Sequence, residues 1–405
     1  MSQPVAFRRY LFPLAAFGLA AGSGLGLAGC ARTAPAASSG ASELVYIGTN
    51  VASAQENTIY LYRLNPATGA LAAAGAYKGG AQPSYLTMDA AHRHLYAVSE
   101  TGTFKGQDHC GGVSTLAIDG RTGALALLGQ QPSTGASPCY INLDHTGKNA
   151  LVANYMGSAT GGNVALLPVQ PDGQLAPATA TDQHQPPVGP HPNQTTPHAH
   201  SLLPDPANRF AFGADLGTDK VYGYRLDAAR HTWQPLPAPA FVAKPGAGPR
   251  HLTFHPNGRY AYLANELNST VTALAYDAAA GSFRELQTLT TLPAGFAETN
   301  SVADVHVGPN GKFLYVSNRG RNSIAVFAIG ADGQLAPVQD VDTQGKTPRN
   351  FALDPSGRLL LVANQNSNNV FTYRVDQQTG KLTPTGQHVD VPSPMFVEVV
   401  PDFTR

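Results

Sequence analysis

One repeat dominates this chain and limits what it can become. Seven times, an alternating apolar run ends in a small residue followed by a polar one: LVYIGT (44–49), HLYAVSE (94–100), ALVANY (150–155), FAFGADL (210–216), YAYLANE (260–266), FLYVSNR (313–319) and LLLVANQ (359–365). The polar positions read as Thr49, Glu100, Asn154, Asp215, Asn265, Asn318 and Asn364, at spacings of 51, 54, 61, 50, 53 and 46 residues. A period near 50 is that of propeller blades, each a small antiparallel sheet. A second alternating run follows each copy, as in NTIYLYRL, DKVYGYRLD and NNVFTYRVD, and period-two alternation marks strands. Then come ATGAL, RTGAL, PDGQL, ADGQL or QTGKL, hairpin turns with glycine where a positive φ is needed.

A third element precedes each run: QPSYLTMD, SPCYINLD, PHAHSLLPD, GPRHLTFHP, VADVHVGP, TPRNFALDP and, at the C-terminus, SPMFVEVVP (393–401). The last copy has no run after it, and LVYIGT at the front has no such element before it. One blade is therefore built from both chain ends, which closes the ring and leaves no free sheet edge. The expected fold is all-β: a seven-bladed β-propeller over residues 43–405, one blade closed by both termini. An open solenoid would not split its repeat in this way.

Composition narrows the function classes. Lys plus Arg and Asp plus Glu both number 26, and charged residues make up only 13%. No basic surplus exists to neutralise phosphates, so nucleic acid is not an expected partner. No P-loop, dinucleotide fingerprint or nucleophile-elbow motif occurs, and no cofactor is expected.

The N-terminus reads as an export segment rather than as fold. Arg8 and Arg9 precede an apolar run from Tyr10 to Ala28, the pattern of a secretory signal over residues 1–29. Pro13 and five glycines between positions 18 and 29 weaken the alternative, a permanent membrane span. Leu27-Ala28-Gly29-Cys30 resembles a bacterial lipobox, and Arg8-Arg9 resembles a twin-arginine signal. The lipobox resemblance implies cleavage before Cys30, lipid on its sulfur and an exported protein whose sole membrane contact is that anchor. Residues 30–42, rich in Ala, Ser and Pro, read as a flexible tether. The two remaining cysteines, Cys110 and Cys139, either bridge in an oxidising compartment or remain separate thiols.

In a propeller the residues leading into the innermost strands crowd one end of a central channel. Here they are Ser84-Tyr85, Cys139-Tyr140, His198-Ala199-His200, Arg250-His251, Ala303-Asp304, Arg349-Asn350 and Met395-Phe396. The residues just after each second strand reach the same rim: Asn50, Thr101, Tyr155, Leu216, Glu266, Arg319 and Gln365. Arginine is costly near a channel without a partner. Arg250, Arg319 and Arg349 at ring-equivalent positions imply either ion pairs with Glu266 and Asp304 or an anionic ligand.

The segments PHAHS (197–201), DLGTDKV (215–221), GPRHLTFHPNGRYAYLANE (248–266), ADVHVGPNGKFLYVSNRGRNSIAVF (303–327) and TPRNFALDPSGRLLLVANQ (347–365) resemble the propeller lactonase family. That family includes 6-phosphogluconolactonases and, more distantly, fungal carboxymuconate cycloisomerases. The resemblance spans roughly residues 43–400 and implies a lactone hydrolase with a His, Arg, Glu, Arg active site. The matching positions are His200, Arg250, Glu266 and Arg319, with His198 a second choice for the histidine. His198, His251, Asp304, Arg349, Asn350 and Tyr155 are expected to bind a small lactone substrate. Glu266 or His200 would act as base or acid with a pKa tuned toward neutral, and Arg250 and Arg319 would hold an oxyanion, phosphate or carboxylate.

Competing readings are a lactonising cycloisomerase and a non-catalytic binding propeller in the cell envelope. The Pro-rich stretch 184–201 carries His184, His191, His198 and His200, but its spacing gives no regular metal-ligand geometry, and a long loop near the channel is the expectation.

Overall fold

The computed structural model describes residues 42–157 and 162–404. The expected signal segment 1–29, the lipobox-like Cys30 and all of the expected tether except Ser42 lie outside them. Among the described residues there are seven four-stranded antiparallel sheets, one of them carrying an extra short strand, plus a two-stranded hairpin.

Numbered from the first complete copy, blade 1 runs Leu86–Met88, His94–Ser99, Gly112–Ile118, Leu125–Pro132. Blade 2 runs Ala136–Leu143, Asn149–Met156, Val164–Pro168, Ala180–Asp182. Blade 3 is Ala199–Pro204, Phe210–Asp215, Lys220–Asp227, Thr232–Pro235, with Phe241–Val242 added against its third strand. Blade 4 is Pro249–Phe254, Tyr260–Asn265, Thr270–Asp277, Ser282–Thr290, and blade 5 is Ser301–Val307, Phe313–Arg319, Ser323–Ile329, Leu335–Asp342. Blade 6 is Pro348–Leu353, Leu359–Asn364, Asn369–Val375, Leu382–Asp390.

Blade 7 is the shared one. Its inner strand Pro394–Pro401 pairs antiparallel with Glu43–Thr49, from Glu43 opposite Pro401 to Thr49 opposite Pro394. Ile59–Leu64 and Leu71–Tyr77 complete the sheet. Each inner strand packs against the next, and that of blade 7 touches those of blades 6 and 1, so the ring is closed.

The turn from first to second strand shows why the sequence folds this way. One position in it is left-handed in six blades: His92, Gly147, Asn208, Gly258, Gly311 and Gly357, with φ between 50° and 70°. Glycine and asparagine adopt that conformation most readily. In blade 7 this turn does not exist, because its first two strands, Pro394–Pro401 and Glu43–Thr49, come from opposite ends of the propeller sequence.

Seven apolar clusters fill the seven gaps between blades, one per gap. Four of the gaps carry the same polar link. The hydroxyls of Tyr46, Tyr96, Tyr262 and Tyr315 donate to the carbonyls of Gly123, Gly173, Gly333 and Gly380 in the next blade, at 2.8–3.1 Å. The glycine turns thus also receive a buried tyrosine from the neighbouring blade.

Candidate active site

Bulges aim the inner-strand side chains into the channel. The register breaks between Pro138 and Tyr140, Ala199 and Ser201, Pro249 and His251, Val302 and Val305, and Pro348 and Asn350. The unpaired residues are Cys139, His200, Arg250, Ala303 with Asp304, and Arg349. An extra residue in one strand kinks it and redirects its side chain. These are the ring-equivalent positions that the repeat pointed to.

The second strands deliver the rest of the mouth in pairs of neighbours with divided tasks. Asn154, Asn318 and Asn364 are buried, and their amides donate to the carbonyls of Ser133, Thr291 and Thr343, each at 3.0 Å, in the loops leading into their own blades. The residue after each asparagine points to the channel mouth, which gives Tyr155, Arg319 and, after Asn265, Glu266.

Blade 1 departs from the sequence alignment by one residue. Ser99 pairs with Gly112 as the strand's last residue and is buried at the asparagine position. Glu100, not Thr101, is therefore the ring equivalent of Glu266. Aligning VSE with VSN by its serine hid this; matching AVSE to LANE by its glutamate reveals it.

Glu266 is the hub of the mouth. Its Oε2 lies 2.9 Å from Arg250 Nε and 2.8 Å from Arg319 Nη2. Arg250 is 2% exposed and also donates Nη1 to the Ala303 carbonyl at 2.5 Å, while Arg319 Nη2 reaches the Val302 carbonyl at 3.0 Å. The Arg250 Nε–Glu266 contact is close but misaligned as a hydrogen bond, and both atoms are buried. Arg349 Nη2 meets Glu100 Oε1 at 3.5 Å. Three guanidinium groups thus face two carboxylates, leaving one positive charge for an anionic group to meet. The expected Arg–Asp304 pair does not form; Asp304 is occupied by histidines.

Burial alone would raise the Glu266 pKa, but Arg319, Arg250 and Arg349 outweigh it and hold the carboxyl below its usual range. Burial pushes His200 well below the ordinary imidazole value, helped by Arg250, His251 and Arg349, so it is neutral at physiological pH. Neither group is tuned toward neutral as the sequence reading expected: three arginines hold Glu266 down, while burial, helped by Arg250, His251 and Arg349, lowers His200.

One layer deeper lies a closed network. His251 Nδ1 is 2.7 Å from Asp304 Oδ1, and His306 Nε2 is 2.8 Å from Oδ2, which also accepts from Asn350 Nδ2 at 2.5 Å. Asn350 Oδ1 accepts from the Val397 amide at 2.8 Å. Arg250 Nη1 is 3.1 Å and 3.4 Å from the two ring nitrogens of His251, which places the guanidinium against the ring face. Burial and Arg250 lower the His251 pKa to about 4, so a neutral ring supports the cation. His251, Asp304 and Asn350 are thus spent on one another beneath the mouth, whereas Tyr155 and His198 stand at it, stacked at 4.3 Å with His198 Nδ1 donating to the Tyr155 carbonyl.

The histidines of the long loop serve different ends. His184 is buried between Asp215 Oδ2 at 2.6 Å and the Tyr224 hydroxyl at 2.8 Å. His191 Nδ1 accepts from the Asn193 amide, and His200 lies in the channel. Among the described residues no group of three or more His, Cys, Asp or Glu side chains is placed to hold a metal ion. Cys110 and Cys139 are separate buried thiols, so the bridge that their number allowed is not made. Cys139 instead packs against His200, Sγ to Nδ1 3.6 Å, and burial raises its pKa far above that of a reactive thiol.

The sequence profile of the family described as "Lactonase, 7-bladed beta-propeller" matches residues 44–399. The chain belongs to that lactonase family. A 6-phosphogluconolactonase of Bacillus subtilis is 35% identical to this lactonase over 360 residues, 87% of this chain and 97% of that one. The solved periplasmic gluconolactonase of Pseudomonas aeruginosa is 36% identical, with a TM-score of 0.81 over 89% of this chain and 99% of its own. A solved putative 6-phosphogluconolactonase of Bacteroides fragilis is 32% identical, with a TM-score of 0.80 over 90% and 99% of the two chains.

Proposed function

We propose that this lactonase hydrolyses a sugar or sugar-acid lactone at the cluster of His200, Arg250, Glu266 and Arg319. The observation that carries the reading is the sharing of one Glu266 oxygen by Arg250 and Arg319. A lactone is an intramolecular ester. Water adds to its carbonyl carbon, the carbonyl oxygen becomes an oxyanion, and the ring C–O bond then breaks to give a hydroxy acid. Two guanidinium groups fixed beforehand suit that oxyanion, because they need little reorganisation as charge develops.

Glu266 is the base in this reading. It is ionised at neutral pH, and as the oxyanion draws Arg250 and Arg319 toward itself, their hold on the carboxylate slackens and its basicity rises. The proton it takes from water goes to the leaving ring oxygen. His200, neutral and buried beside Cys139, shapes the pocket floor and donates or accepts a hydrogen bond without carrying charge.

The reading extends to location and substrate. The signal-like segment 1–29 and the lipobox at Cys30 support an exported protein anchored by lipid, and the periplasmic location named for the Pseudomonas relative agrees with it. An exported enzyme meets unphosphorylated aldonolactones more readily than a cytosolic sugar phosphate. Hydrolysis of glucono-1,5-lactone, 6-phosphogluconolactone and a muconolactone, measured with and without chelator, tests the proposal. Chelator-resistant turnover lost in Glu266→Gln supports it. A folded protein inactive on all three, or a fully active Glu266→Gln variant, overturns it. A Cys30→Ala variant still labelled by fatty acid would overturn the anchor.

A further inference from the structure

Across the mouth from the Glu266 cluster stands a second arginine–glutamate pair that the family's four-residue set does not contain. Glu100 occupies in blade 1 the ring position of Glu266, and Arg349 occupies in blade 6 the ring position of Arg250. They face each other past blade 7, at 3.5 Å, with side chains 21% and 20% exposed. That distance is beyond a well-formed charged hydrogen bond. Glu100 Oε2 is buried without a hydrogen-bond partner among the described residues, and so is Ser84 Oγ at the inner-strand position of the same blade. The backbone brings the two together, since the amides of Ser84 and Glu100 both donate to the Gln82 carbonyl, at 2.8 Å and 3.1 Å. Buried polar atoms are ordinarily paired, and two orphans on backbone segments tied to one carbonyl mark a place that something else completes.

The charges say what that is. An anion would meet Glu100, and a cation would meet Arg349. A hydroxyl donates to the first and accepts from the second, so a neutral polyol satisfies both at once. We propose that Glu100, Ser84 and Arg349 form a subsite that reads the ring hydroxyls of a polyhydroxylated lactone while Arg250 and Arg319 take its carbonyl. The subsite rests on the lactone-hydrolase reading and deepens it by assigning the residues that would read a sugar lactone's ring hydroxyls. The discrimination arises because a lactone lacking them leaves Glu100 and Ser84 buried and unpaired.

Steady-state kinetics on two six-membered lactones, glucono-1,5-lactone and the hydroxyl-free δ-valerolactone, tests this on the full protein. The native enzyme is expected to prefer the gluconolactone by roughly a hundredfold or more in kcat/KM. Glu100→Gln and Ser84→Ala are expected to raise KM for gluconolactone about tenfold, with a several-fold smaller loss in kcat/KM on valerolactone. Urea midpoints equal to that of the native protein keep the comparison valid. Equal losses on both lactones, or no loss on either in folded variants, would overturn the subsite while leaving the hydrolase reading intact. A native enzyme inactive on both lactones, and on 6-phosphogluconolactone and a muconolactone as well, would instead overturn that reading and the subsite with it.

Discussion

Arg319 Nη2 lies 2.8 Å from Glu266 Oε2, although the two residues are 53 positions apart and sit on adjacent blades. The pair exists because each directly follows the buried asparagine of its second strand, Asn265 or Asn318, so the blade repeat alone brings them together. Removing the carboxylate charge leaves Arg250 and Arg319 facing each other. Glu266→Gln is therefore expected to lower kcat by roughly 10²–10⁴-fold, with a smaller change in KM, in steady-state assays.

Beneath that pair, Asp304 sets the angle at which His251 supports Arg250. Asp304→Asn is expected to lower kcat/KM by about 10- to 100-fold without touching substrate, since it loosens a charged hydrogen bond two steps from the reacting atoms. His251→Phe, which keeps a flat ring under the guanidinium, is expected to retain more activity than His251→Ala. Equal loss in both would remove the platform role from His251.

At the far end of the channel, burial pushes the Glu398 carboxyl up to about 7, with His306 pulling it partly back. Its folded pKa is above the unfolded one, so its ionisation destabilises the fold progressively as pH rises from about 4.5 to 7. Glu398→Gln is expected to be close to neutral at pH 4.5 and to stabilise at pH 8 by at most about 3 kcal/mol. Urea unfolding at the two pH values measures the difference.

Tyr315 donates its hydroxyl to the Gly380 carbonyl across the gap between blades 5 and 6. Tyr315→Phe is expected to cost about 1–3 kcal/mol, because it leaves that carbonyl buried without a donor. A shift in urea midpoint at unchanged m-value is the signature.

The two thiols of the propeller offer a simpler check. Alkylation of denatured protein without reductant is expected to label both Cys110 and Cys139, since both are free and buried in the fold. Protection of the pair would show a bridge.

The sequence alone determined the ring. Period-two alternation, turns with a left-handed residue at one position, and a repeat split between the two ends admit few arrangements other than seven blades closed by the termini. It also determined which positions meet, because ring-equivalent residues are neighbours whatever their separation in the chain. The repeat put His200, Arg250, Glu266 and Arg319 among the rim positions, and the family resemblance singled them out from the rest. What the tertiary structure decided was partnership and charge. Asp304 took histidines rather than an arginine, since it lies one layer below the guanidinium groups. Glu100 entered the site through a one-residue shift of frame that alternation cannot register, and it paired with an arginine two blades away. Protonation states were also beyond a one-dimensional reading: Glu266 is shifted down by three arginines from three blades, and His200 by burial in the channel beside Arg250, His251 and Arg349, and both settings exist only once the ring is closed.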